Sequence, residues 1–172
     1  DDKANYSEIT NEYGEYLTPY GGEYIKSRID INNFHEVSRY GLTEEVRRLI
    51  NQGYNPSTDN NLAIRVASRD GHTEVVKLLL QDKRVDPSVD NNYAIIWSSA
   101  NGHTEVVKEL LKDKRVTPGI NTNRPIRWAS AHGHTEVVKE LLKDDRVAPS
   151  DSDNHAIRWA SENGHLEVVK LL

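Results

Sequence analysis

The chain has 172 residues, 36% of them hydrophobic, and its aromatics are 8 Tyr, 3 Trp and 1 Phe, a content suited to one thin, elongated core rather than a globular one. The formal charge of -5 sits at the head, where residues 1–60 hold 11 acids and 6 bases while residues 61–172 hold 16 of each, so the basic surplus of a nucleic-acid binder is missing. The absence of Cys excludes disulfides and thiolate chemistry, and no apolar run reaches the roughly 18–20 residues of a membrane span.

Residues 1–29 form an acidic, tyrosine-rich arm with Tyr6, Tyr13, Tyr16, Tyr20 and Tyr24 among six acids. Gly14, Pro19, Gly21 and Gly22 interrupt any helix there, which leaves a loose hairpin around Gly21-Gly22 or an extended arm lying on the next stretch of chain, and two readings of its role: a partly ordered terminus, or a tyrosine-rich docking segment. The opening Asp1-Asp2-Lys3 and the closing Leu171-Leu172, which stops inside an amphipathic pattern, both look cut.

Residues 30–59 carry Phe34, Val37, Val46 and Leu49 at core spacing, with Glu44, Glu45, Arg47 and Arg48 on a polar outer side. They read as a capping unit. From there the chain repeats: Gly-His stands at 71–72, 102–103, 133–134 and 164–165, always 31 residues apart, which divides it into units 60–90, 91–121, 122–152 and a truncated 153–172. In each unit a first helix such as Ala63–Arg69 offers the small face Ile64, Ala67 and Ser68, and Gly71 is placed to end it in a left-handed conformation. A second helix comes next, with Val75, Val76, Leu79 and Leu80 on one side and Glu74 three residues from Lys77 on the other. Helices this short fall below the roughly 12–15 residues of marginal isolated stability, so stacking must hold them. The linkers at Arg84–Ser88, Arg115–Gly119 and Arg146–Ser150 each contain a proline and lead into Asx residues, which predicts extended loops tipped by turns.

The segment Asn163-Gly-His-Leu-Glu-Val-Val-Lys-Leu-Leu172, repeated in register, resembles the core motif of ankyrin repeats over roughly residues 30–172. The resemblance implies an all-α ankyrin-repeat solenoid of stacked helix-turn-helix units with short hairpin-like loops. Where that family has Thr-Pro-Leu-His-Leu-Ala-Ala, this chain has Leu62–Ser68, Tyr93–Ser99, Arg124–Ser130 and His155–Ser161, so the hydrogen-bonding Thr and His are missing. The 31-residue period implies a hairpin finger shorter than the family's, whose period is about 33. The dialect is similar to the ankyrin families of giant viruses and their amoebal hosts.

Equivalent residues of stacked units sit roughly 8–10 Å apart, whereas zinc needs ligands at about 2 Å. His72, His103, His134 and His165 therefore read, with Gly71, Gly102, Gly133 and Gly164, as framework tying each turn to its neighbour. No metal, cofactor or catalytic residue is assigned: nucleophile elbow, phosphate loop and metalloprotease helix are all missing. Trp97, Trp128 and Trp159 share one register of the first helix and read as wedges between repeats. The positions that vary between copies are the partner-binding candidates: Arg65, Arg69, Asp70, Asn92, Tyr93, Ile96, Asn101, Arg124, Arg127, His132, His155, Arg158, Glu162 and Asn163.

The expected function is a non-catalytic scaffold or adaptor that binds a protein through the concave groove, which the first helices line in the family it resembles, and the loop tips. Two alternatives stay open: a self-assembling structural component of a larger, viral particle, and the substrate-recruiting arm of a longer protein with a C-terminal effector domain. No nucleic acid and no membrane span are expected. The expected location is the cytoplasm, meaning host cytosol or virion for a viral chain.

Overall fold

A computed structural model describes residues 29–172, and the tyrosine-rich arm lies outside them. Ten helices occur among the described residues, in five antiparallel pairs and with no strand. They are α1 (Phe34–Arg39) with α2 (Thr43–Asn51), α3 (Thr58–Arg69) with α4 (Thr73–Leu80), α5 (Val89–Ala100) with α6 (Thr104–Leu111), α7 (Ile120–Ala131) with α8 (Thr135–Leu141), and α9 (Asp151–Glu162) with α10 (Leu166–Leu171). The core is a line of small and branched side chains. Ile64, Ile95 and Ile126 recur with Ala63, Ala94 and Ala156 from the first helices, and Val75/Val76, Val106/Val107 and Val137/Val138 come from the second. Ala67, Ala129 and the fully buried Ser68, Ser99 and Ser130 allow the first helices to approach one another closely. Those helices pack on their neighbours more extensively than the second helices do. The stack is therefore tighter on the first-helix side.

The loops between units are tighter than the extended linkers that the prolines predict. In place of a hairpin finger, α3, α5, α7 and α9 carry left-handed residues near their start: Asp59, Asn60 and Asn61 (φ 50°, 55°, 55°), Asp90, Asn91 and Asn92 (53°, 55°, 60°), Asn123 (59°), and Asp153 and Asn154 (55°, 57°). Asn and Asp tolerate this region better than other L-residues because their short polar side chains bond locally. The last Asn of each turn does more. Asn61 Oδ1 accepts the backbone N–H of Asp86 at 2.8 Å, Asn92 that of Thr117 at 2.8 Å, and Asn123 that of Ala148 at 2.9 Å. Asn92 Nδ2 also donates to Thr117 Oγ1 at 2.9 Å.

A second ladder runs through the turns inside each pair. The first helix of the third pair ends in a Schellman arrangement, with His103 N–H bonded to Ser98 O (2.9 Å) and Gly102 N–H to Ser99 O (3.3 Å), Gly102 sitting at φ 78°. The bare glycines make room for the next unit's imidazole: a Cβ on Gly71 would come within 2.6 Å of His103 Nδ1, and one on Gly102 within 2.7 Å of His134 Nδ1. Nε2–H of His103, His134 and His165 donates to Arg69 O (2.8 Å), Ala100 O (2.9 Å) and Ala131 O (3.0 Å) respectively. A third tie comes from the linker arginines, with Arg115 reaching Val85 O and Arg146 reaching Val116 O, both at 2.7 Å.

Burial holds His103 and His134 below the ordinary histidine range, against the opposing pull of their carbonyl partners. A depressed folded-state value means the unfolded chain takes up protons first as pH falls. The contribution of both histidines to stability is then complete above the unfolded value of about 6.5 and is lost below it. The urea midpoint should accordingly drop between pH 7.5 and pH 5.5. Replacing both residues by Gln should flatten that drop, and a wild-type midpoint that does not move over this interval would contradict the assignment.

Candidate functional site

The second-helix side is closed to long-range electrostatics. Glu74 and Lys77, Glu105 and Lys108, Glu136 and Lys139, and Glu167 and Lys170 pair three residues apart at 2.6–2.7 Å. A recess between α6 and α8 is lined by charges of the same kind, among them Glu109–Lys112 and Glu140–Lys143. Exposed pairs like these cancel one another and are screened by salt.

The first-helix side carries rings and guanidinium groups. Tyr93 and Trp97, four residues apart on α5, have centroids 5.7 Å apart, and the Arg65 guanidinium lies 4.7 Å from the Tyr93 ring. Further along, the rings continue from one helix to the next: His132 stacks on Trp128 at 5.6 Å, Trp128 meets Trp159 at 5.9 Å, and Trp159 meets His155 at 5.4 Å. Arg127 sits 5.0 Å above the Trp159 ring. His132 also stacks on His134 at 5.9 Å while its Nδ1–H donates to Trp128 O at 2.8 Å, so the close histidine pair is engaged by rings and backbone. Among the described residues no group of three or more His, Cys, Asp or Glu is placed to hold a metal ion.

Of the three indoles expected to wedge between repeats, Trp128 and Trp159 meet each other across α7 and α9, and Trp97 stands more open. Trp97 is 40% exposed, and Trp128 and Trp159 are half-buried. The innermost seats between units are filled by Ile64, Ile95 and Ile126 with the small residues beside them. Two of the partner-binding candidates are corrected. Asn92 is 2% exposed and its amide is consumed by Thr117, and Ile96 is 4% exposed within the packed stack.

The remaining candidates fall into two groups. Arg65 is held by Asp90 at 2.5 Å, and Arg69 grips Asp70 with bonds of 2.6 and 2.8 Å, which raises the Arg69 pKa further above its ordinary value. Asn101 donates to Arg69 O at 2.9 Å and Asn163 to Ala131 O at 3.2 Å, so both stitch neighbouring units together. Arg124, His132, Arg158 and Glu162 are exposed, and Tyr93, Arg127 and His155 are half-buried. Sequence reasoning did not find the Asn61, Asn92 and Asn123 ladder or the Arg115 and Arg146 ties, although each recurs at the repeat period.

No helix among the described residues is long and apolar enough to cross a membrane. No curated protein matches the chain at a significant level. A family model described as ankyrin repeats (3 copies) matches residues 34–124 and 114–172. With that model spanning nearly all the described residues and the helix pairs stacked in its register, the chain belongs to the ankyrin-repeat family, whose members are generally protein–protein interaction modules and typically not catalysts.

Proposed function

We propose that this chain is a non-catalytic adaptor that takes hold of a partner protein on the concave, first-helix side and the adjoining turns. The observation that carries this reading is the contrast between the two sides: paired charges on the second helices, and partly exposed Trp97, Trp128 and Trp159 among arginines on the first. Trp and Arg are the residues that most often anchor interfaces. Because the helices are fixed by packing before any partner arrives, little ordering entropy is lost on association.

The test is affinity capture from a lysate with wild type and a Trp97→Ala, Arg158→Glu variant, alongside thermal unfolding of both. The expected result is a stoichiometric protein retained by wild type and reduced at least about tenfold by the variant, with unfolding temperatures that coincide. Equal retention by both proteins would move the interface off this face.

A further inference from the structure

On the first-helix side two columns of side chains reach from one unit to the next. In the first column, His35 pairs with Asp59 at 2.7 Å, Arg65 pairs with Asp90 at 2.5 Å, and Arg127 sits 5.0 Å above the Trp159 ring, each one joining its helix to the first helix of the following unit. The second column stands where each first helix ends and reaches the other way. Asp70 lies 3.9 Å from Arg39, Asn101 Nδ2 donates to Arg69 O at 2.9 Å, and Asn163 Nδ2 donates to Ala131 O at 3.2 Å.

Both columns lapse at one seam, the seam between α5 and α7. The first column has Ile96 there, which is 4% exposed and carries no polar group. In the second, His132 turns its Nδ1–H to Trp128 O of its own helix, at 2.8 Å, and leaves Ala100 O to His134. The rings break at the same place: Tyr93 meets Trp97 at 5.7 Å on one side and Trp128 meets Trp159 at 5.9 Å on the other, and among the described residues no ring contact joins Trp97 to Trp128. The side-chain hydrogen bonds that cross this seam among the described residues are those of His134 at the turn and of Arg146 to Val116 O in the linker. Apolar packing around Ile95, Ile96 and Ile126 supplies the rest. Hydrogen bonds and ion pairs fix a distance and an angle, whereas apolar burial is non-directional and allows packed helices to slide by small amounts.

We infer that the α5–α7 seam is a hinge. The stack consists of two stiffer blocks, α1–α6 and α7–α10, which are pinned to each other at the His134 turn and the Arg146 linker and splay on the first-helix side. That motion changes the separation between Trp97 on one block and the Trp128–Trp159 pair on the other. It operates whether or not a partner occupies the face.

The chain has no Cys, so spin labels attach only where one is introduced. Lys83, Lys114 and Asp145 are exposed, equivalent positions of successive linkers, each 31 residues from the next. Double electron–electron resonance on the full chain compares Lys83→Cys with Lys114→Cys, a pair that spans the α3–α5 seam, and Lys114→Cys with Asp145→Cys, which spans the α5–α7 seam. The second distance distribution is expected to be at least about 1.5 times as wide as the first. His132→Asn gives the α5–α7 seam the amide that Asn101 supplies to its own, and should narrow the second distribution. Arg65→Ile with Asn101→His copies the lapse into the α3–α5 seam, and should widen the first. Equal widths in the otherwise unaltered chain overturn the inference, and so do unequal widths that neither set of substitutions moves.

Discussion

Replacing Asn92 by Ala should lower the unfolding free energy by about 2–3 kcal/mol, and replacing it by Gly should cost about 1 kcal/mol less. The residue sits at φ 60° and 2% exposure, and its amide bonds both the N–H and the hydroxyl of Thr117 in the loop that leads into the next unit. Alanine removes both bonds and adds the strain of a Cβ in a left-handed conformation, whereas glycine removes the bonds alone. For a chain of this size each kcal/mol moves the midpoint by about 2–4 °C. Thermal melts of the two variants therefore separate backbone strain from the lost tie. Equal midpoints for Ala and Gly would show that the left-handed conformation carries no cost here, and a wild-type-like Ala variant would refute the ladder.

Gly102→Ala should be still more damaging, by about 3 kcal/mol, and Gly164→Ala much less so, by about 1–2 kcal/mol. Both glycines have positive φ, 78° and 74°, so the conformational penalty is shared. They differ in what a Cβ meets. At Gly102 it meets three atoms of the His134 ring at 2.7–3.1 Å and forces the imidazole off its bond to Ala100 O, while at Gly164 nothing lies within 4 Å. Thermal unfolding of the two variants measures the difference directly. Equal losses would mean that the histidine adapts without penalty and that the close approach is incidental.

Much of this architecture is legible in the residues because the helix pairs are dictated by local patterns. Val106, Val107 and Leu110 share one helical face, and Gly102 ends the preceding helix, so the helix-turn-helix unit follows from spacing alone. How polar side chains divide between framework and surface is not legible in the same way. Spacing groups Asn92 with Tyr93 at a loop tip, yet Asn stands at 61, 92, 123 and 154, as invariant within the chain as Gly-His. That recurrence is the available signal of a structural role. Trp97 misleads in the other direction: a repeated Trp looks like core, but a residue on a first helix can recur because every unit presents the same outer surface as well as the same inner one. Arg65 and Arg69 are ambiguous for a different reason, since whether a guanidinium is open depends on acids as far away as Asp90, 25 residues on.

The His and Asn ties share a property that bears on how the molecule comes apart. The His ties join adjacent units, the Asn ties fasten the start of a unit to the loop that leads into the next, and none reaches two units away. Such an array behaves as a row of coupled switches, each leaning on its immediate neighbours. A unit flanked on both sides, as that of α5 and α6 is, is clamped twice, so its opening must break ties to both neighbours at once and its amides exchange late.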